Sequence, residues 1–171
     1  MPLNLKLIRY STLNPRQREN YNYQKLSALL ADYGFVTMRL SDDWNGADMI
    51  AQHIDGDTFL KIQLKGRLSF CMKYENRGVY VAFRRGKDWY LYPHDEILAR
   101  VDAATKFRNT SAWKHDKEFS FAKLTKPLLQ ILNPYQIEHS RNQQPKLKSF
   151  DDDASNNGVH PTPRHVASHD R

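Results

Sequence analysis

Three polar residues in the middle of the chain, Asp48, Gln63 and Lys65, have the types and spacing for phosphodiester hydrolysis. Gln63 and Lys65 are two positions apart in an alternating stretch, so their side chains leave one strand on the same side, about 7 Å apart. Asp48 precedes Gln63 by fifteen positions, and an Asp55-Gly56 turn signal lies between them. If the two segments pair as a hairpin around that turn, a carboxylate, an amide and an amine converge.

Such a trio has a definite chemical use. A carboxylate and a neutral carbonyl are hard oxygen ligands that suit Mg²⁺, an ion that keeps several waters and accepts phosphate oxygens. The ion lowers the pKa of a bound water and reduces the charge of a phosphodiester. A neighbouring lysine orients that water or stabilises negative charge on the phosphate. The three residues therefore predict metal-dependent hydrolysis, with Mg²⁺ or Mn²⁺ as cofactor.

An amphipathic helix precedes these residues. Asn14 and Pro15 supply an N-cap and a first helical residue, and Gly34 is a suitable residue just after the end. An apolar stripe runs between them at spacings of three and four: Tyr23, Leu26, Leu29, Leu30 and Tyr33. Glu19 lies four residues before the stripe, so the pattern predicts an inward-facing carboxylate on this helix.

The remaining elements predict an α/β (α+β) fold, with a mixed sheet of about five strands flanked by helices. The predicted strands are residues 36–40, 47–51, 58–65, 78–83 and 88–92, with a loop at 41–46. The predicted later helices begin near Pro93 and span 120–132, where Pro127 is an irregularity. On the third strand, Leu60, Ile62 and Leu64 are expected to face the first helix, and Gln63 and Lys65 to lie on the opposite, polar face.

Composition narrows the class of protein. The chain has 171 residues, enough for one domain, and Cys71 is its only cysteine, which excludes a disulfide scaffold. No run approaches about 18 uninterrupted apolar residues, and no secretory signal is evident, so a cytoplasmic protein is expected. Cys71 is expected in the core or a strand, and Trp89, Tyr90 and Tyr92 in packing rather than base stacking.

The basic residues belong mainly to the predicted domain. Residues 1–139 are expected to fold, with a core at 15–101 and a C-terminal helical part at 102–139, and 140–171 to form a flexible polar tail. The tail has five basic residues and four aspartates, which leaves +6 of the +7 total on the domain. This excess predicts a nucleic-acid partner, DNA or RNA, whose phosphates contact Lys61, Arg67, Lys73, Arg77, Arg84 and Arg85.

The segment Gly46-Ala47-Asp48, followed after a turn by Gln63-Leu64-Lys65, resembles the core of the PD-(D/E)XK nucleases. The preceding helix and the strand at 36–40 are similar to that layout too, so the resemblance covers roughly residues 15 to 101. It implies a restriction-endonuclease-like core and a metal-dependent DNA endonuclease. Because such nucleases often act as dimers, it also suggests a homodimer.

The resemblance implies roles for four residues. Asp48 corresponds to the metal ligand, Gln63 to the second acidic position and Lys65 to the catalytic lysine, while Glu19 could fill the metal-directed Glu that members often carry on the first helix. Ala47 replaces the Pro of the motif, which is a minor change. Gln63 replaces an acid, which some members also show, and it removes one negative charge from the metal site.

Plainer interpretations stay open for each of these residues. Asp48 could cap a turn, Gln63 and Lys65 could be the wet side of a half-exposed sheet, and Glu19 could be a solvated acid near a helix N-terminus. Asp42 and Asp43 are typical of a loop rather than of a catalytic site, although either could supply the charge that Gln63 lacks. A nuclease fold that has lost turnover and serves as a nucleic-acid-binding or assembly module is the competing function.

Overall fold

The structure, a computed structural model, describes residues 3–44 and 46–138, so the predicted tail at 140–171 lies outside the described residues. The helices are α1 (Pro15–Ala31), α2 (His94–Thr105), α3 (Ser111–Asp116) and α4 (Lys126–Leu132). The strands are β1 (Phe35–Trp44), β2 (Ala47–His53), β3 (Phe59–Lys65), β4 (Ser69–Cys71), β5 (Val79–Arg85), β6 (Asp88–Pro93), β7 (Glu118–Ser120) and β8 (Gln136–Ile137). Within the described ranges, no helix has both the length and the apolar character to span a membrane.

Six strands form the main sheet, in the order β1-β2-β3-β5-β6-β8. Neighbours pair antiparallel except β3 and β5, which are parallel. On one face α1 buries its leucines in a cluster with Met49 and Ile62, and on the other α2, α3 and α4 contribute to a second cluster with Val81. The expected mixed sheet flanked by helices is confirmed, with β8 as a sixth strand.

A small second sheet, β4 paired with β7, lies beside the main one. Its Phe70 is fully buried and stacks on Phe107, so the sheet shares the core of α2–α4. Cys71 is buried in β4, as expected for a core residue. The predicted C-terminal helical part therefore also contains two strands, β7 and β8. The sequence pattern missed them, and β4 as well, because these strands have only two or three residues each.

The start of α1 follows its sequence signals. The Asn14 side chain accepts the backbone N–H of Gln17, and the Gln17 side chain accepts the backbone N–H of Asn14, which completes a capping box. The helix ends at Ala31, and Gly34 follows with φ +78°. The predicted stripe is only partly right, since its three leucines are buried but Tyr33 is 42% exposed.

Two predicted boundaries are wrong. Residues 41–44 are not a loop, because β1 continues to Trp44 through a register irregularity after Arg39. The last helix does not begin at Ser120, where β7 ends, but at Lys126. Pro127 then occupies the first turn of α4, where its missing N–H costs no hydrogen bond.

Candidate functional site

The hairpin of β2 and β3 brings Asp48 against Gln63. The two strands pair antiparallel with Met49 opposite Ile62, so Asp48 and Gln63 occupy the next row. The Gln63 side-chain amide Nε2 donates to Oδ2 of Asp48 at 2.6 Å, and the backbone N–H of Leu64 donates to the same oxygen at 2.8 Å. The carboxylate of β2 is thus held by two donors from β3.

Gln63 is buried rather than on a wet face, with 8% of its surface exposed. It lies between β2 and β5, opposite Val81 in the parallel ladder. Its carbonyl oxygen Oε1 is buried and has no hydrogen-bond partner among the described residues. A buried acceptor without a partner is unusual and calls for a specific explanation, such as a bound ion.

Lys65, at the end of β3, contacts two residues that the sequence did not indicate. Its Nζ donates to Oε1 of Glu118 at 2.9 Å and lies 5.6 Å from the ring centroid of Tyr74. Glu118 is 53 positions later in sequence, at the start of β7, and is brought there by the pairing of β7 with β4. No local sequence signal marks such a distant partner.

Glu19 is half-exposed and forms an ion pair with Arg39, so the predicted inward orientation on α1 is wrong. The carboxylate nevertheless shares an open cleft of about 550 Å³ with Asp48. Asp42 and Arg16 also line this cleft. The cleft therefore brings three acids of α1, β1 and β2 to one opening, together with two arginines.

The electrostatic environment raises the pKa of Asp48 above its ordinary value. Burial is the main cause, and the nearby charge of Glu19 adds to it. The hydrogen bonds from Leu64 and Gln63 and the ammonium of Lys65 act in the opposite direction but do not cancel the effect of burial. Asp48 therefore binds a proton more tightly than a free carboxylate does.

The donor set decides whether a metal ion fits here. In residues 3–44 and 46–138, no cluster of three or more His, Cys, Asp or Glu side chains could hold a metal. The carboxylates of Asp48 and Glu19 line the cleft, whereas the unpartnered Gln63 carbonyl is buried and is not among the residues that line it. Carboxylate and amide oxygens are of the type that Mg²⁺ binds, since this ion commonly takes one or two carboxylates and completes its shell with water and substrate phosphate.

The basic residues expected to contact nucleic acid fall at two ends of the sheet. Lys61 donates to the backbone carbonyl of Arg77, at the end where β5 begins. Arg67, Arg84 and Arg85 line one cavity near the end of β3, and Lys73 lies over the Tyr74 ring. The second group is the one near Lys65.

Gly46 controls the approach of β2 to Tyr74. Its φ is +93°, and a Cβ atom there would lie 2.6 Å from Cε1 of the fully buried Tyr74 ring.

We expect Gly46→Ala to lower the free energy of unfolding by about 3 kcal/mol, measured by urea denaturation. Gly56→Ala is the matched control, because Gly56 has φ +82° with open space around it and should lose only about 1 kcal/mol. Equal losses at both positions would contradict the steric argument.

Comparisons with known proteins complete the description of the site. No family model and no curated protein matches the chain. Among solved structures, the chain is similar to the Holliday junction resolvase Hjc of Archaeoglobus fulgidus, with 18% identity and a TM-score of 0.38. The similarity covers 46% of this chain and 73% of the resolvase chain. It therefore concerns less than half of the present sequence.

Proposed function

We propose that this protein is a Mg²⁺-dependent endonuclease that hydrolyses DNA phosphodiester bonds at Asp48, Gln63 and Lys65. One observation carries the proposal: the Gln63 side chain contacts the Asp48 carboxylate through its amide nitrogen, and its buried carbonyl oxygen has no hydrogen-bond partner among the described residues. A folded protein rarely tolerates that arrangement unless a ligand completes it. Lys65 follows Gln63 on the same side of β3, close enough for its charge to lower the pKa of Asp48.

In this proposal Asp48 and Gln63 hold the ion, and Glu19 faces it across the cleft. When bound, Mg²⁺ supplies an activated water and reduces the negative charge of the phosphodiester. The residues of the chain attract the ion and the phosphates of the substrate. Asp48 supplies the charge that attracts the cation, and Arg16 and Arg39 provide positive charge at the cleft for the flanking phosphates.

Lys65 is the residue that stabilises the reacting phosphate. Its ammonium donates hydrogen bonds to the phosphate oxygens as negative charge develops. Glu118 accepts from Nζ at 2.9 Å and is a positioning residue, because it fixes the ammonium beside the Tyr74 ring. A preorganised donor of this kind needs no rearrangement at the moment of reaction.

Substitution of Lys65 by Ala tests this role. We expect the rate of Mg²⁺-dependent nicking of supercoiled DNA to fall by about 10²-fold or more, since a preorganised donor to the transition state is lost. Folding should be retained, because Lys65 lies at a strand end and Glu118, its partner, has 44% of its side chain exposed. Circular dichroism and thermal unfolding check that point.

The matched control is Lys114→Ala, which removes one exposed lysine from α3. This variant should nick DNA at the wild-type rate, with Mg²⁺ or with Mn²⁺. A Lys65→Ala protein that folds and cuts as fast as Lys114→Ala would exclude Lys65 from catalysis.

A second function, nucleic-acid binding without turnover, is favoured by one observation. The site has a single carboxylate in contact with Gln63, and the amide of Gln63 already donates to it. If that arrangement is permanent, binding will depend on salt but not on metal, and no cleavage will occur with Mg²⁺ or Mn²⁺ on supercoiled, branched or single-stranded DNA or on RNA. The same substrates in the same assay therefore separate the two functions.

A further inference from the structure

Two adjacent cavities extend from Lys65 along the end of the sheet. The smaller one, about 230 Å³, is lined by Lys65 and Arg84, and the larger one, about 480 Å³, by Arg67, Arg85 and Lys123. Gly66 and Arg84 line both, so the cavities join at these residues. We call this continuous depression the basic groove.

Charge in the basic groove has one sign. Five cations line it, and none of its described lining residues is acidic: the cations are Lys65, Arg67, Arg84, Arg85 and Lys123. Arg67, Arg85 and Lys123 are exposed. This differs from the Asp48 cleft, where acids and arginines alternate. A polyanion is the ligand that such a surface attracts.

The floor of the basic groove is apolar. Phe121 and Leu124 are partly buried there, with the fully buried Leu68 beneath. Gly66 adds open space, because a Cβ atom built on it would meet no atom within 4 Å. The groove thus combines cations with the partly buried aromatic side chain of Phe121 and with a glycine, which suits a nucleotide with its base turned toward the protein.

We propose that the basic groove binds an unpaired DNA strand and leads it to Lys65. A duplex hides the faces of its bases and offers only backbone and base edges, whereas an unpaired strand offers faces that stack on aromatic rings. This proposal deepens the proposed function, because it assigns the endonuclease substrates with a single-stranded segment.

Fluorescence anisotropy in EDTA tests the proposal without turnover. The probes are a labelled 12-nucleotide DNA, its duplex and an RNA of the same sequence, each titrated with the full-length protein at two salt concentrations. We expect the unpaired DNA to bind at least five-fold tighter than the duplex, which corresponds to one stacked base. Equal or tighter binding of the duplex, or tighter binding of the RNA, would overturn the assignment.

Substitutions locate the binding. Phe121→Leu keeps an apolar side chain but removes the ring, so it should weaken unpaired DNA about five-fold and leave duplex binding unchanged. Phe119→Leu is the matched control, since Phe119 packs on Phe121 but does not line the groove. Gly66→Val should fill the open space and weaken binding without lowering the unfolding temperature, because Gly66 lies outside the left-handed region. Unchanged affinity in both Phe121→Leu and Gly66→Val would refute the groove.

The result is independent of cleavage. If unpaired DNA binds as expected but wild-type protein cuts nothing with Mg²⁺ or Mn²⁺, the proposed endonuclease activity is wrong and the proposed binding in the basic groove is supported. If cleavage occurs but Phe121→Leu and Gly66→Val bind unpaired DNA like wild type, the proposed endonuclease activity is supported and the proposed binding in the basic groove is wrong.

Discussion

Replacement of Asp48 by Asn is expected to reduce Mg²⁺-dependent DNA cleavage by about 10³-fold, because the charge that attracts the metal ion is lost. The amide oxygen of Asn can still accept from the Leu64 N–H and from Gln63, so the hairpin contacts persist. The measurement is the single-turnover rate on supercoiled DNA, with Mg²⁺ in excess. Asp57→Asn removes the same charge from the exposed turn of this hairpin and should cut normally.

The same substitution, Asp48→Asn, should not lower the stability of the folded protein and should raise it if it changes it. Burial raises the pKa of Asp48, so the folded protein binds a proton there more tightly than the unfolded chain does. The contribution to stability is full at a pH below the unfolded pKa, about 3.9, and is lost as the pH rises through the folded pKa. The Asn variant lacks this loss, so at pH 7 its unfolding temperature should equal or exceed that of wild type.

The expected loss of cleavage and the expected retention of stability in Asp48→Asn can each fail separately. If Asp48→Asn unfolds at a lower temperature than wild type, then the carboxylate stabilises the hairpin as an ordinary turn residue would. If it remains stable and cuts at the wild-type rate, the metal is held elsewhere or not at all.

Replacement of Gln63 by Glu is expected to make stability depend on metal. Gln63 Nε2 lies 2.6 Å from Oδ2 of Asp48, so the substitution puts two carboxylates in hydrogen-bond contact. Without metal at pH 8 their repulsion should lower the free energy of unfolding by about 3 kcal/mol. Saturating Mg²⁺ should restore it, because an ion that binds only the folded protein stabilises it by mass action.

Thermal unfolding with and without Mg²⁺ measures this dependence, and titration calorimetry measures the gain in affinity. Cleavage should become faster, since the second acidic charge is present. Gln52→Glu, on the exposed part of the neighbouring strand β2, is the control and should show no response to Mg²⁺. A Gln63→Glu protein whose stability ignores Mg²⁺ and Mn²⁺ would favour the binding function without turnover.

The parts of the fold that depend on local signals could be predicted from the sequence. The cap at Asn14, the Asp55-Gly56 turn and the alternation of β3 each act within a few residues, and together they determine the hairpin that joins Asp48 to Gln63. The burial of Gln63 was not predictable from alternation, because β3 is a central strand covered on both faces. Alternation indicates which face of the sheet a side chain is on, but not whether that face is exposed to solvent.

The distant parts of the site could not be predicted. Glu19 lies on the expected helix, yet Arg39 from β1 holds its carboxylate at the surface, and only the packing of α1 against β1 brings Arg39 near. Glu118 reaches Lys65 through β4 and β7, three-residue strands whose sequences have no periodicity to detect. Tertiary pairing of short segments leaves no mark on a single sequence.

The pairing of β4 with β7 has a consequence for biosynthesis. Ser69 and Ser120 are joined by their hydroxyls across 51 positions, and Lys65 meets Glu118 only when this pairing exists. The ribosome releases the chain from its N-terminus, so the Asp48 hairpin emerges long before β7 does. The nascent chain therefore carries an incompletely positioned lysine until nearly all of the described residues have left the exit tunnel.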